Sequence, residues 1–290
     1  MTGHMTIAAM ILAAVTVGTW NGQWFPSGRA EHRAAPEAEA RTIAAAGRLL
    51  RDGLAKADPT GTNDVILCLN EIRGPKEANA LCEAIGRKGL RVAVVTGYRR
   101  RDRFDQQQDV IATTLPVADA SWSRWKGSKG RTPPRGYARA SVVLSPGVTG
   151  VVYSVHLKSN YGQTDDGAAY TNRLKRTLAV EQLLEQERNK RGRPRQRPAI
   201  VAGDFNADRW SEEFKADTMF AAMESEGFDN ALALLPSSER ATHPARGKWK
   251  DRVFDYIMYR SLKPKGLPKI VPSGDVSDHS AVFVTLECGS

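Results

Sequence analysis

The sequence predicts a single α/β domain. Three observations predict it. Apolar runs of strand length, each closed by a polar residue, recur along the whole chain. Segments of helical period lie between several of them, which is the interleaving expected of α/β folds. The 290 residues hold no internal repeat, low-complexity tract or domain-scale linker. One large domain over 14–290, after a tail at 1–13, is therefore the economical reading.

Val15, Val17 and Thr19 alternate in residues 14–21, which reads as a strand ending at Asn21. A polar loop follows over 22–36. Ile43, Ala46, Leu50 and Leu54 recur at helical spacing, so 37–54 reads as a helix. Residues 64–70 are almost continuously apolar, a buried strand that delivers Glu71 to its tip. Ala78, Leu81, Cys82 and Ile85 mark a second helix stopped near Gly89.

A strand at 91–97 and shorter ones at 110–113, 141–144 and 151–156 come next, the last ending in His156. Residues 122–139 read as a basic, aromatic, Pro/Gly-rich loop. Residues 171–187 are helical and break in the arginine-rich 188–198. Ser211 is placed to cap a helix carrying Ala216, Met219, Phe220 and Met223 on one face, ended by Gly227. Strands at 253–259 and 281–287 close the chain.

Residues 199–208 (AIVAGDFNAD) sit at the centre of this pattern. Gly203 turns the end of a buried strand, and Asp204 and Asn206 follow as alternate residues whose side chains share a direction. A carboxylate and an amide aimed together suit an oxygen-liganded cation or an attacking water, or else an Asx turn. Asn21, Glu71, His156 and the pair Asp278-His279 repeat the arrangement of a polar group at or beyond a strand end. Five such sites in one α/β chain predict loops converging on one centre.

The ordered set TWN, NE, HLKSN, GDFN, DYI and SDH resembles the endonuclease/exonuclease/phosphatase superfamily, whose members resemble pancreatic deoxyribonuclease. The resemblance spans 20–284. It implies two mixed β-sheets packed face to face with helices on the outer faces, and phosphate-ester cleavage with Mg²⁺ or Mn²⁺ at one end. It also implies roles. Glu71 is the principal metal carboxylate, Asn21 supports the metal or orients the base, and Asp278 adds a second carboxylate. Asp204 and Asn206 position the attacking water and the phosphate. His279 is the general base or a phosphate-stabilising imidazole, oriented by Asp255, since a carboxylate fixes the tautomer of the ring it holds. His156 donates to the phosphate or protonates the leaving oxygen. Arg139 and Asn160 are candidates for phosphate contact.

Substrate is a separate question, because one fold hosts several. VAGDFNAD and VFDYIMY depart from the motifs of inositol polyphosphate phosphatases, and His156 stands where abasic-site endonucleases have a Tyr-Val-Pro-Asn-like segment. A net charge of +10 favours a polyanionic partner, either nucleic acid or an anionic membrane surface. Arg99, Arg100 and Arg101, with Trp122 and Trp125 as stacking surfaces, favour nucleic acid, DNA before RNA. A phospholipid phosphodiesterase, a phosphomonoesterase and a non-catalytic nucleic-acid-binding protein are the alternatives. No protein partner is indicated, and a monomer is expected.

Localisation stays open between several compartments. Residues 7–17 are apolar for the length of a signal-peptide core but lack a basic flank, which fits a trimmed export signal and a secreted or periplasmic protein. Three cysteines cannot all pair. Buried thiols are expected, with a Cys68–Cys82 bridge the alternative on export.

Overall fold

A computed structural model describes residues 14–27, 34–100, 103–104, 107–128, 130–160, 166–245 and 250–288. In chain order the elements begin with β1 (Ala14–Phe25), α1 (Pro36–Ala57), β2 (Asp64–Ile72), α2 (Pro75–Ile85) and β3 (Arg91–Val95). A small ribbon of β4 (Arg99–Arg100) and β5 (Arg103–Phe104) precedes β6 (Gln108–Thr113), β7 (Val117–Arg124), β8 (Gly136–Ser145) and β9 (Val148–His156). Then come α3 (Asp166–Gln186), β10 (Ala199–Asp204), α4 (Met219–Ser225), β11 (Asp229–Asn230), β12 (Asp255–Arg260), β13 (Leu262–Pro264), β14 (Lys269–Val271) and β15 (Ala281–Cys288).

These strands form two mixed sheets. One runs β13-β15-β1-β2-β6-β3, with β14 also on β15, and the other runs β11-β12-β10-β9-β8-β7. Period-two alternation assigns the faces. Val15, Val17, Ile66, Cys68 and Ile111 of the first sheet bury against Ala138, Ala140, Val152 and Ala202 of the second. Leu67 and Leu69 point the other way and meet Leu50 of α1 and Leu81 and Ile85 of α2. Leu183 of α3 and Phe220 and Met223 of α4 join the core on the second sheet. Strands buried on both faces explain the unbroken apolar runs of β2 and β10.

Each sheet contains one parallel pair joined through a crossover helix: β1 and β2 through α1, and β9 and β10 through α3. Parallel partners run out together, so Asn21, where the unbroken pairing of β1 stops, and Glu71, His156 and Asp204, at or next to the ends of β2, β9 and β10, lie at one end of the sandwich. The antiparallel neighbours begin at that same end. Asp204 pairs with Asp255 across β10 and β12, and β15 starts just after His279. The topology thus gathers the polar strand ends into one place.

Several boundaries differ from the sequence reading. β1 continues to Phe25 because its last residues pair with β2 past a register shift, where a loop is expected from 22. The loop expected over 122–139 is shorter: 122–124 end an eight-residue edge strand, β7, and 136–139 begin β8, to which it pairs. Helix α2 ends at Ile85 because Gly86 takes the left-handed conformation (φ 70°), three residues before Gly89. Ser211 precedes only a short 3-10 turn, Glu212–Phe214, and α4 begins at Met219.

All three cysteines are free and buried. Cys68 faces the opposing sheet and Cys82 lies under the helices, on opposite faces of the first sheet, so they do not bridge. Among the described residues no helix is long and apolar enough to cross a membrane. The tail at 1–13 lies outside the described residues.

Candidate active site

Asp204 is the centre of the constellation. It is 1 % exposed, and both of its oxygens are oriented by donors. Asn21 Nδ2 donates to Oδ2 at 2.9 Å, and the Asn206 backbone N–H donates to Oδ1 at 2.8 Å. Gly203 makes the local turn at φ 144°, and a Cβ there would sit 1.9 Å from the Val155 carbonyl oxygen. Only glycine fits. Asn206 itself takes φ 52°, a conformation that asparagine tolerates better than most residues. Its amide donates to the Leu157 carbonyl at 3.2 Å.

Glu71 extends β2 with φ 59°, an uncommon backbone for a non-glycine residue at the edge of a site. Its Oε2 accepts from the Trp24 N–H at 3.0 Å, and its Oε1 lies 3.4 Å from Asn21 Nδ2 and 3.7 Å from His156 Nε2. Asn21 Oδ1 is engaged by the Gln23 N–H at 2.9 Å. Asn21 therefore presents its NH₂ to two carboxylates.

The two histidines differ. His279 Nδ1 is 2.8 Å from Asp255 Oδ2, while its Nε2 faces Asp204 at 3.9 Å and Asp278 at 4.0 Å. Burial alone would lower its pKa, but the Asp255 charge and hydrogen bond, with Asp204 and Asp278, hold it at about 10. His279 is thus an imidazolium at neutral pH. His156 carries no such partner. Burial first, and then the charge of Arg135, push it well below the usual histidine range. Its neutral ring places Nε2 3.5 Å from Asp204 Oδ2. Burial raises the Asp204 carboxyl to about 7 despite the opposing pull of His279.

Most of the expected residues meet here: Asn21, Glu71, His156, Asp204, Asn206, Asp255, Asp278 and His279. Asp278 occupies the outer rim, with its Oδ2 3.7 Å from His243 Nε2. His243 reads from sequence as a surface loop residue, yet its ring stands 5.0 Å from that of His279. Thr242 brings it in by accepting the backbone N–H groups of Phe254 and Asp255 on its Oγ1. No period or motif announces that contact.

Other candidates lie elsewhere. Arg139 is held by Asp119 at 2.6 Å and Ser141 at 3.1 Å, so its guanidinium is engaged within β7 and β8. Arg135 is the arginine at the site. It donates to the carbonyls of His156 at 3.1 Å and Leu157 at 2.8 Å, anchoring the end of β9. The Pro133-Pro134-Arg135-Gly136 turn is the sequence signal for it. Asn160 Oδ1 accepts from the buried Arg176 at 2.8 Å. Trp125 is 4 % exposed and packs on Tyr137, so it is core and offers no free face. Trp122 is 41 % exposed, edge-on to Tyr98. Arg99 is exposed beside it on the β4 ribbon, with Arg124 Nη2 donating to the Arg99 carbonyl at 2.9 Å. Arg100 joins that ribbon through its backbone, and Arg101 lies outside the described residues.

The profile of the endonuclease/exonuclease/phosphatase family matches residues 18–279, nearly the whole chain. The chain belongs to that family. Its members are phosphoester hydrolases and are generally dependent on a divalent metal. Solved structures share the fold at low identity. An endonuclease/exonuclease/phosphatase family protein from Leptotrichia buccalis C-1013-b aligns at TM-score 0.62 with 14 % identity, over 94 % of this chain and 99 % of its own. A second, from Beutenbergia cavernae DSM 12333, aligns at 0.65 with 14 % identity over 96 % and 72 %. TDP2 from C. elegans aligns at 0.59 with 12 % identity over 96 % and 77 %. Comparison with curated proteins gave no match.

The donor chemistry fits the cation that the family uses. Among the described residues, Glu71, Asp204, Asp255 and Asp278 form ion pairs only with histidines, and no lysine or arginine neutralises them. Two groups, His243–Asp278–His279 and Asp204–Asp255–His279, also bring their ligand atoms within metal-binding range. A surplus of oxygen donors of this kind suits a hard divalent ion.

Proposed function

We propose that this protein is a divalent-metal-dependent phosphodiesterase, and specifically a nuclease that hydrolyses DNA. One observation carries the hydrolytic reading. Four carboxylates and two histidines from five strand ends converge, with donors already fixing Asp204 and Glu71. Glu71 would hold the cation, with Asp278 as the outer carboxylate and Asn21 orienting Glu71 and Asp204 through its NH₂. Bound there, Mg²⁺ or Mn²⁺ would supply Lewis acidity to a phosphate oxygen and acidity to a coordinated water.

The chain's own residues account for the rest. Asp204, held by Asn21 and Asn206 and poised near neutrality, accepts a proton from the attacking water. His279 is charged and fixed by Asp255. It serves as a donor to the phosphate rather than as the base. His156 is neutral, and its Nε2 turns toward Asp204 and Glu71. It donates to a phosphate oxygen or to the leaving oxygen.

The nuclease reading rests on the surplus of +10 and on the exposed ring of Trp122 beside Arg99 and Arg124, where a base can stack and a phosphate can be paired. Supercoiled plasmid, single-stranded DNA, RNA and sphingomyelin vesicles, each with Mg²⁺, Mn²⁺ or EDTA, test it together. Metal-dependent nicking of closed circles is the expected result. Turnover confined to the vesicles would replace the nuclease reading with a phospholipase one.

A further inference from the structure

We propose that Asn70 and Asp109 are positioning residues that act through Asp204. The facing sides of the two sheets are largely apolar, and beside the site Asn70, like Asn21, is a polar bridge between them. Asn70 is on β2, next to Glu71, and is fully buried. Its Oδ1 accepts the backbone N–H of Asp204 on the opposing sheet at 3.0 Å. Its Nδ2 donates to Asp109 Oδ1 at 2.8 Å and lies 3.4 Å from Ser154 Oγ. Asp109 is also fully buried, and Tyr98 donates its hydroxyl to Asp109 Oδ2 at 3.1 Å.

The arrangement is directional. An amide can point its oxygen either way, but the backbone N–H of Asp204 can only donate and so takes the oxygen side. That leaves the NH₂ facing an Asp109 oxygen. A buried amide with both ends satisfied is rigid, because turning it strands two polar groups at once. Gly203 is part of the same device: a Cβ at that position would lie 3.0 Å from Asn70 Oδ1, so its absence leaves room for the bridge. Tyr98 continues the chain outward to the exposed Trp122, whose ring centroid is 5.7 Å away. The backbone of Asp204 is thereby tied to the first sheet, which also carries Glu71.

This inference rests on the reading of Asp204 as the group that engages water. Asn70→Ser removes the bridge and leaves room for a solvent molecule. With bis(4-nitrophenyl) phosphate and Mn²⁺, kcat should fall about 10- to 100-fold, the cost of a displacement near 1 Å. KM and Mn²⁺ affinity by titration calorimetry should stay within about twofold, the margin expected when only transition-state contacts are lost. In an Asp204→Asn background the same change should cost nothing further, since residues acting as a unit are non-additive. Asp109→Ala should show the same pattern, and Asp109→Asn should restore kcat, because its carbonyl can still accept from Asn70. In the folded variants the Asp204 amide should lose hydrogen-exchange protection while Ala202 keeps it.

A loss that multiplies with Asp204→Asn, or a wild-type kcat in Asn70→Ser, would overturn the proposal while leaving the active-site reading intact. An unaffected Asp204→Asn single variant would overturn both.

Discussion

Asp255 Oδ2 lies 2.8 Å from His279 Nδ1, and Asp255 is wholly buried behind the ring it holds. The carboxylate fixes the orientation and the charge of the His279 ring together, so the pair acts as one unit. His279→Ala and Asp255→Asn should each reduce kcat. The double variant should fall little below His279→Ala alone, as measured by single-turnover hydrolysis.

Glu71→Gln keeps the side chain's shape but removes its charge. Mn²⁺ affinity and hydrolysis should both drop about 100-fold or more, the upper end of what even the outer partners of metal ligands cost. Calorimetric titration of the folded variant measures the first and plasmid nicking the second. Tight Mn²⁺ binding retained in Glu71→Gln would move the metal assignment elsewhere.

Trp122 and Trp125 are three residues apart and should answer to different assays. Trp122→Ala removes an exposed ring and should weaken single-stranded DNA binding by about 1–3 kcal/mol, with little change in unfolding midpoint. Trp125→Ala empties a core position and should cost about 3–5 kcal/mol of stability.

Burial raises the Asp109 carboxyl from 3.8 to about 7. The folded protein then holds a proton that the unfolded chain releases near pH 4. The contribution of this group to stability is complete below that pH and is lost as pH rises toward 7. The loss is at most about 4 kcal/mol. In EDTA, urea unfolding of the wild type should show lower stability at pH 7 than at pH 5, and Asp109→Asn should flatten the difference.

Gly203→Ala should fail to accumulate as folded protein, because both φ 144° and the 1.9 Å approach to the Val155 carbonyl exclude a side chain. Circular dichroism and soluble yield test this directly.

Local chemistry determined a large part of this protein in the sequence itself. The apolar runs at 64–70 and 199–202 had to be buried strands, and polar residues at their tips had to lie at a sheet end. The ordered motifs then made Asn21, Glu71, His156, Asp204, Asn206, Asp255, Asp278 and His279 legible as one set. Tertiary structure alone decided the contacts that no period or spacing encodes. Trp122 and Trp125 look alike in sequence, yet the pairing of β7 with β8 exposes one ring and buries the other. Arg135, and not Arg139, reaches the end of β9, because only Arg135 lies where the turn into β8 meets the His156 and Leu157 carbonyls. His243 meets His279 across 36 residues of chain, and Asn70 meets Asp204 across 134, through the packing of loops and sheets. Such contacts depend on how two faces come together, and a one-dimensional pattern records only which residues share a face.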